Sequence, residues 1–270
     1  MPIEFEATPT PPNRSRRYLA ADPRWLAGMG SVLVLAALWW VTSHFGWVDG
    51  LFLPSPEQLL AALINLWHDG YLDASLLQHI GISLGRVLLA FVAAVVTAVP
   101  LGLLMGLNPL IGAALDPLVE FYRPIPPLAY LPLIVIWFGI GELSKVLLIY
   151  LALFAPLLIA TAAGVRRVDP SRVRAVRCLG ANRWQVVHLV VLPNALPEIL
   201  TGLRIALGGG WSTLVAAELI AADRGLGFMV QSAAQFLATD TVLVGILLIA
   251  IVALVLELGL RWLQRRFAAW

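Results

Sequence analysis

The 270-residue chain carries little charge and almost no lysine. Only 13% of its residues are Asp, Glu, Lys or Arg, whereas soluble proteins average about 25%. Apolar residues make up 60% of the chain, which excludes an ordinary soluble domain and indicates a membrane protein. The single lysine, Lys145, follows Ser144 rather than a glycine. The sequence therefore contains no phosphate-binding loop of the form G-x-x-x-x-G-K-[ST].

Cysteine and histidine are equally scarce. Cys178 is the only cysteine, so a disulfide within the chain is excluded. None of the four histidines stands at ligand spacing from the cysteine or a carboxylate. The formal charge of +2 is too small to favour a nucleic-acid partner. We therefore expect no catalytic residue, metal or cofactor in this chain.

Six apolar stretches are candidates to cross a bilayer core of about 30 Å, which takes about 20 residues. They lie at roughly 25–47, 80–107, 124–140, 143–165, 193–222 and 241–262. The preceding residues 1–24 form a polar, proline-rich tail that we expect to be disordered. The sequence thus predicts an all-α membrane protein with six transmembrane helices.

Arginine placement predicts the orientation of these spans. The arginines concentrate in the tail, in the loop at 166–183 and near the end at 261–266. Because segments rich in Lys and Arg stay in the cytoplasm, the three regions are expected on that side. The segments that then lie outside are acidic or balanced and include Asp69 and Asp223. Both termini are therefore predicted to be cytoplasmic.

A short amphipathic helix is predicted after the first span, and the two together make up residues 25–75. Its apolar face consists of Leu59, Leu60, Leu63, Leu66 and Trp67. The helix is too short to cross the membrane, so we expect it at the outer surface. It either receives an external binding protein or only anchors the chain.

The cytoplasmic loop at residues 166–192 is predicted to contain two short helices rather than an irregular link. Asp169 can cap the first helix, with Pro170 at its first position, and Gly180 can end it. The apolar residues of this helix recur at helical spacing, which suits docking into a groove of another protein. They are Val173, Val176 and Leu179.

The second helix of the loop is predicted to start at a capping box formed by Asn182 and Gln185. Pro193 is expected to end it before the fifth span, because proline lacks a backbone donor. Two interpretations of the loop stay open on spacing alone. It is either a docking element for a partner or a basic loop that only sets the orientation of the spans.

The loop resembles the cytoplasmic signature of importer permeases of the ATP-binding-cassette superfamily. That signature reads E-A-A, three residues, Gly, nine residues, Ile, one residue, Leu-Pro. The matching positions here are Arg174, Ala175, Val176, Gly180, Val190, Leu192 and Pro193. Arg174 stands where the family usually has Glu, and Val176 stands where it has the second Ala. The stretches YRPIPPLAYLPLIVIWFGIGELSK and WSTLVAAELIAADRGLGFMVQ are similar to the nitrate, sulfonate and taurine branch.

This resemblance implies a type I importer permease (MetI-like) fold in the bacterial inner membrane, with its core at 76–266. It also implies a homodimer, two cytosolic ATPases that bind all the ATP, surrounding lipid, and a periplasmic or lipid-anchored binding protein. The loop residues that the resemblance and the helix pattern assign to ATPase coupling are Asp169, Val173, Arg174, Ala175, Val176, Leu179, Gly180, Leu192 and Pro193.

The implied function is the import of a small organic sulfonate, taurine foremost. Within the family, the alternatives are other small anions such as alkanesulfonates, nitrate or bicarbonate. Outside it, the alternative is a secondary transporter driven by an ion gradient, which would take up substrate as this chain alone.

The fifth span contains the candidates for the transport pathway. Arg204 lies roughly 16 Å along the helix from its start, deep enough to require a partner or water. It either faces the pathway, where it would attract an anion, or pairs with a carboxylate on a neighbouring helix. Gly208, Gly209 and Gly210 weaken the helix locally and serve either movement or packing. Glu218, near the outer end, has the same two alternatives of pathway or structure.

Overall fold

The computed structural model describes residues 23–267, so the predicted tail lies almost entirely outside it. Within this range the secondary structure is helical apart from an isolated bridge between Tyr71 and Ala74. The helices, in chain order, are α1 (Pro23–His44), α2 (Pro56–His68), α3 (Leu76–Leu107), α4 (Pro109–Tyr122), α5 (Leu131–Phe138), α6 (Glu142–Arg166), α7 (Pro170–Cys178), α8 (Arg183–Val186), α9 (Leu192–Ala221), α10 (Leu226–Gln235) and α11 (Thr239–Phe267). The all-α prediction is confirmed.

The chain divides into two compact units, Met1–Pro56 and Glu57–Trp270. The first contains α1, whose apolar part, Gly28–His44, is shorter than the other membrane-spanning candidates. In this unit the indole N–H of Trp39 donates to the Pro54 carbonyl at 3.1 Å. The hydrogen bond ties the end of the helix to the segment that follows it.

Helix α2 has 13 residues and is too short to cross a membrane, as predicted. Its buried side chains are Leu59, Ala62 and Leu66. Leu60 and Trp67, which the sequence pattern placed on the same face, are exposed. The buried face of α2 is therefore narrower than predicted. It consists of Leu59, Ala62 and Leu66, which are three and four residues apart and share one side of the helix.

Four helices in the described range are long and apolar enough to cross a membrane: Leu76–Leu107, Glu142–Arg166, Arg183–Ile220 and Thr239–Arg266. A fifth span results if Pro109–Tyr122 and Pro127–Phe138, which meet at an angle of 86°, are counted together. The predicted third span began only at residue 124, so it omitted the first arm of this bent pair. The total of six spans stays a prediction.

Helix α6 forms the centre of the second unit and packs between α3 and α9. Small residues allow these helices to approach closely. A Cβ at Gly202 of α9 would lie 2.3 Å from the Cβ of Ala160, and one at Gly102 of α3 would lie 2.7 Å from the Cβ of Thr161. A larger side chain at either position would push the helices apart, as expected for small-residue packing between membrane helices.

The predicted orientation can be tested with the native cysteine of the chain. Cys178 is exposed on α7, in the loop assigned to the cytoplasm. A membrane-impermeant maleimide should therefore label it in inverted vesicles but not in intact cells. In a Cys178→Ser background, Asp69→Cys and Asp223→Cys should be labelled in intact cells, because both positions are exposed. The opposite labelling pattern would reverse the topology.

Candidate functional site

The first helix of the cytoplasmic loop begins and ends as predicted. The carboxylate of Asp169 accepts a hydrogen bond from the N–H of Ser171 at 2.8 Å and caps α7. Hydrogen bonds from the side chain and the backbone of Ser171 lower the pKa of the Asp169 carboxyl, so the cap is charged at neutral pH and complements the helix dipole. Gly180 follows α7 with φ of +86°, the left-handed conformation that often ends a helix.

The second helix of the loop begins as predicted but does not end as predicted. Asn182 and Gln185 form the capping box, with both hydrogen bonds at 2.8 Å. The helix then continues from Arg183 to Ile220 over 38 residues, so Pro193 does not end it. The second loop helix and the fifth predicted span are one continuous helix.

A π-helical turn at Val187–Val191 accompanies the passage of this helix through the proline. The N–H of Leu192 bonds to the carbonyl of Val187, five residues back. The side chain of Asn194 donates to the Val190 carbonyl at 2.6 Å. Both contacts supply hydrogen bonds next to Pro193, which lacks an N–H donor, and the predicted break does not occur.

Only part of the predicted docking face of α7 is exposed. Val173 is half-buried and packs against the core of its own chain, and Val176 is also half-buried. Leu179, in contrast, is 86% exposed. Arg174 and Ala175 are exposed as well. The loop surface that a partner could contact therefore includes Arg174, Ala175 and Leu179.

Helix α7 is also tied to α9. The side chain of Arg172 donates a hydrogen bond to the side chain of Asn194. Leu192 and Pro193, the last residues of the signature, are half-buried at the start of α9. The hydrogen bond from Arg172 thus joins α7 to the start of α9.

A cavity of about 410 Å³, here called the central cavity, lies between the middle of α6, the middle of α9 and the bend after α4. It is lined by Tyr122, Arg123, Ile125, Pro127, Leu151, Ala152, Ala155, Pro156, Ile159, Ala160, Ile205, Gly209 and Thr213. Gly209 is the predicted pathway residue among them. Most of the other lining side chains are apolar or small.

Arg123 is the charged residue of the central cavity, and it was not among the predicted pathway residues. It follows α4 directly and is exposed. None of the ion pairs among residues 23–267 involves it. The sequence feature that could have marked it is an arginine between two apolar stretches, just before a proline-rich break. Treating 109–138 as one interrupted span would have marked Arg123 as an intramembrane charge.

Arg204 lies on the side of α9 that faces α11, and its charge is paired. Its guanidinium donates to Oε1 of Glu257 at 2.7 and 3.1 Å and to Gln264 at 3.0 Å. Arg261 donates to the same carboxylate oxygen at 2.9 Å. This is the carboxylate pairing that the sequence left open as an alternative. Arg204 does not line the central cavity, and a pathway role for it stays a prediction.

The three consecutive glycines of α9 have different surroundings. A Cβ at Gly210 would lie 2.6 Å from the Leu153 side chain, so this glycine allows close packing against α6. Gly209 lines the central cavity, whereas Gly208 lies beside Glu257 of α11 in a separate crevice. Packing therefore explains Gly210, and Gly209 is the one with access to the cavity.

Glu218 is 1% exposed and belongs to a buried hydrogen-bond network, here called the Glu218 network. Its carboxylate accepts from the Ser83 hydroxyl at 2.7 Å and from the N–H of Gly227 at 2.8 Å. Arg86 donates to Glu218 at 2.6 Å and also to Glu142 at 2.6 Å. The network thus connects α3, α6, α9 and α10 at the ends predicted to be external, and a pathway role for Glu218 stays a prediction.

The described residues contain no cluster of three His, Cys, Asp or Glu side chains that could hold a metal ion. The ring nitrogens of buried His79 face backbone groups of Gly225 and Tyr71 at 3.1 and 3.2 Å. Those contacts occupy both nitrogens of the imidazole, so His79 has a structural role.

Comparison with known proteins identifies the family. The model of the binding-protein-dependent transport system inner membrane component matches residues 98–269. The taurine transport system permease protein TauC of Escherichia coli K12 is 59% identical over 243 residues, which cover 90% of this chain and 88% of TauC. SsuC of Bacillus subtilis 168, named for aliphatic sulfonates, is 35% identical over 246 residues, covering 91% of this chain and 88% of SsuC.

A solved structure supports the same fold. A chain of the inward-facing MetNI methionine ABC transporter superposes with a TM-score of 0.53 at 19% identity, covering 68% of this chain and 95% of that one. This similarity confirms the expected permease fold. The chain therefore belongs to the family of inner membrane components of binding-protein-dependent transport systems.

Proposed function

We propose that this chain is the permease subunit of an ATP-driven importer whose substrate is taurine. The observation that carries the proposal is the 59% identity to TauC over 90% of the chain. The sequence has no phosphate-binding loop, since its single lysine does not follow a glycine. Either an ion gradient or a partner ATPase must then supply the energy, and the basic helices of the cytoplasmic loop favour the partner ATPase.

The cytoplasmic loop is the proposed contact with that ATPase. Its first helix is capped at Asp169 and turns at Gly180, and it presents Leu179 at 86% exposure. An exposed leucine on a rigid basic helix suits insertion into a groove of another protein. Because the loop continues into α9, binding and closure of two ATPases would move the spans that line the central cavity.

A second copy of the chain is the proposed partner on the other side of the cavity. Arg123 is exposed and Ile205 is 65% exposed, although both line the central cavity at the level of the middle of α6 and α9. Two copies related by a twofold axis would enclose these side chains in one pathway. A periplasmic or lipid-anchored binding protein would deliver taurine to its external end.

Longer aliphatic sulfonates are the second candidate substrates, because SsuC is similar over 91% of the chain. The identity to SsuC is 35%, against 59% to TauC, which favours taurine. In both cases the permease would transport a small organic sulfonate.

Reconstitution with the partner ATPase and binding protein tests the proposal. Taurine-loaded binding protein is expected to stimulate ATP hydrolysis and taurine uptake by proteoliposomes, and longer alkanesulfonates and nitrate should stimulate both less. Removal of ATP should abolish uptake even when an ion gradient is present. Gradient-driven taurine uptake by the chain alone would contradict the importer and favour a secondary transporter.

A further inference from the structure

The central cavity lies at mid-depth of the membrane-spanning helices. Helix α6 has 25 residues, and its lining residues run from Leu151 to Ala160 around the middle of that length. The hydroxyl of Tyr122 donates to the carbonyl of Leu151 at 2.7 Å, which fixes the bend after α4 against this part of α6. The residue after Tyr122 is Arg123, so its charge is held at the same level.

Arg123 differs from the other arginines within the spans. Arg86 is paired with Glu142 and Glu218, and Arg204 is paired with Glu257. No carboxylate pairs with Arg123 among residues 23–267, and none lines the central cavity. A charged side chain at this depth is costly unless it meets a partner or water. The guanidinium therefore makes the cavity positive.

The other polar groups of the cavity do not offset this charge. The Tyr122 hydroxyl donates to Leu151, and the Thr213 hydroxyl donates to the Gly209 carbonyl at 2.9 Å. Neither group carries a charge that could neutralise a guanidinium. The remaining lining is apolar or small, so the cavity combines one fixed positive charge with room for a compact solute.

We propose that the central cavity is an anion site in which the guanidinium of Arg123 binds the sulfonate group of the solute in transit. The planar fork of an arginine donates two parallel hydrogen bonds to an oxoanion, and this geometry suits the oxygens of a sulfonate. The inference rests on the proposed importer function and adds the residue that recognises the anion. In a homodimer, two Arg123 side chains would contribute to the same pathway and raise the local concentration of anions.

Charge-selective labelling tests the anion site without requiring transport. In a Cys178→Ser background, Ile205→Cys places a thiol on the cavity wall, where the native side chain is 65% exposed. In the assembled transporter, this thiol is labelled with an anionic and a cationic methanethiosulfonate of similar size, and each rate is divided by the rate of the same reagent with a free thiol. The ratio of the anionic to the cationic normalised rate, here called the labelling ratio, should be about 10. Arg123→Gln should bring the ratio close to one. Arg123→Lys, the matched control, should keep most of it.

Uptake measurements with the same variants separate this inference from the proposed function. Arg123→Gln is expected to lower taurine uptake at least about 10-fold while the ATPase still co-purifies, and Arg123→Lys should keep more activity than Arg123→Gln. An unchanged labelling ratio in Arg123→Gln would overturn the anion site, whatever the substrate proves to be. A ratio that depends on Arg123 without any taurine uptake by the wild type would keep the anion site and reject taurine. If Arg123→Gln does not assemble, assembled Arg123→Lys decides, because it keeps the positive charge. A labelling ratio close to one in that variant would overturn the site.

Discussion

Replacing Arg86 with leucine is expected to lower the free energy of unfolding by about 3–5 kcal/mol, because it leaves a buried carboxylate without its counter-charge. Arg86 and Glu218 are 5% and 1% exposed, and their side chains meet at 2.6 Å. The Ser83 hydroxyl and the Gly227 N–H would still bond to Glu218, but neither supplies a positive charge. Thermal unfolding of the purified permease in detergent measures the effect.

Two variants provide the controls for the Arg86 prediction. Asp116 pairs with Arg166, and both side chains are exposed (40% and 46%), so Asp116→Asn should lower the stability by at most about 1 kcal/mol. The double variant Arg86→Leu, Glu218→Leu should be more stable than Arg86→Leu alone, since it removes the orphaned charge. Equal losses for Arg86→Leu and Asp116→Asn would show that burial of the Glu218 network does not govern its contribution.

Gly180→Val is expected to leave the membrane spans folded but to uncouple ATP hydrolysis from taurine uptake, or to prevent the ATPase from binding. Gly180 has φ of +86°, a conformation that costs a residue with a side chain about 1–2 kcal/mol and a β-branched residue more. Relief of that strain would change the angle between α7 and α8. ATPase co-purification and taurine transported per ATP hydrolysed measure the two outcomes.

Graded substitutions show whether the backbone is the cause. A Cβ at Gly180 meets nothing within 4 Å in this chain, so steric overlap within the permease does not contribute. Gly180→Asn should be close to wild type, because asparagine tolerates the left-handed conformation, and Gly180→Ala should be intermediate. Equal loss in all three variants would indicate a direct contact with the ATPase at this position. Wild-type coupling in Gly180→Val would mean that the loop only sets the topology.

Features determined by neighbouring residues were predictable from the sequence. The cap at Asp169 and the capping box of Asn182 and Gln185 depend on residues no more than three positions apart, and both form. The turn at Gly180 has the expected positive φ. Local capping chemistry decided these three features, and packing against the rest of the fold did not override it.

Features that depend on distant residues were not predictable in the same way. Arg204 meets Glu257, which lies 53 positions later in the sequence, and nothing in the spacing of either residue selects that partner. Pro193 was expected to end a helix, but a π-turn carries the helix past it. Arg123 was overlooked because the predicted third span began at residue 124, just after it, and omitted the first arm of the bent pair.

The helix from Arg183 to Ile220 ends next to the Glu218 network, which fixes it like a pivot. At 1.5 Å per residue, its 38 residues form an arm about 57 Å long, so a tilt of about 5° swings the loop end through about 5 Å. Gly209, about 14 Å from the pivot, would move by only about 1 Å. A displacement of about 5 Å at the cytoplasmic end would thus produce a displacement of only about 1 Å at the wall of the central cavity.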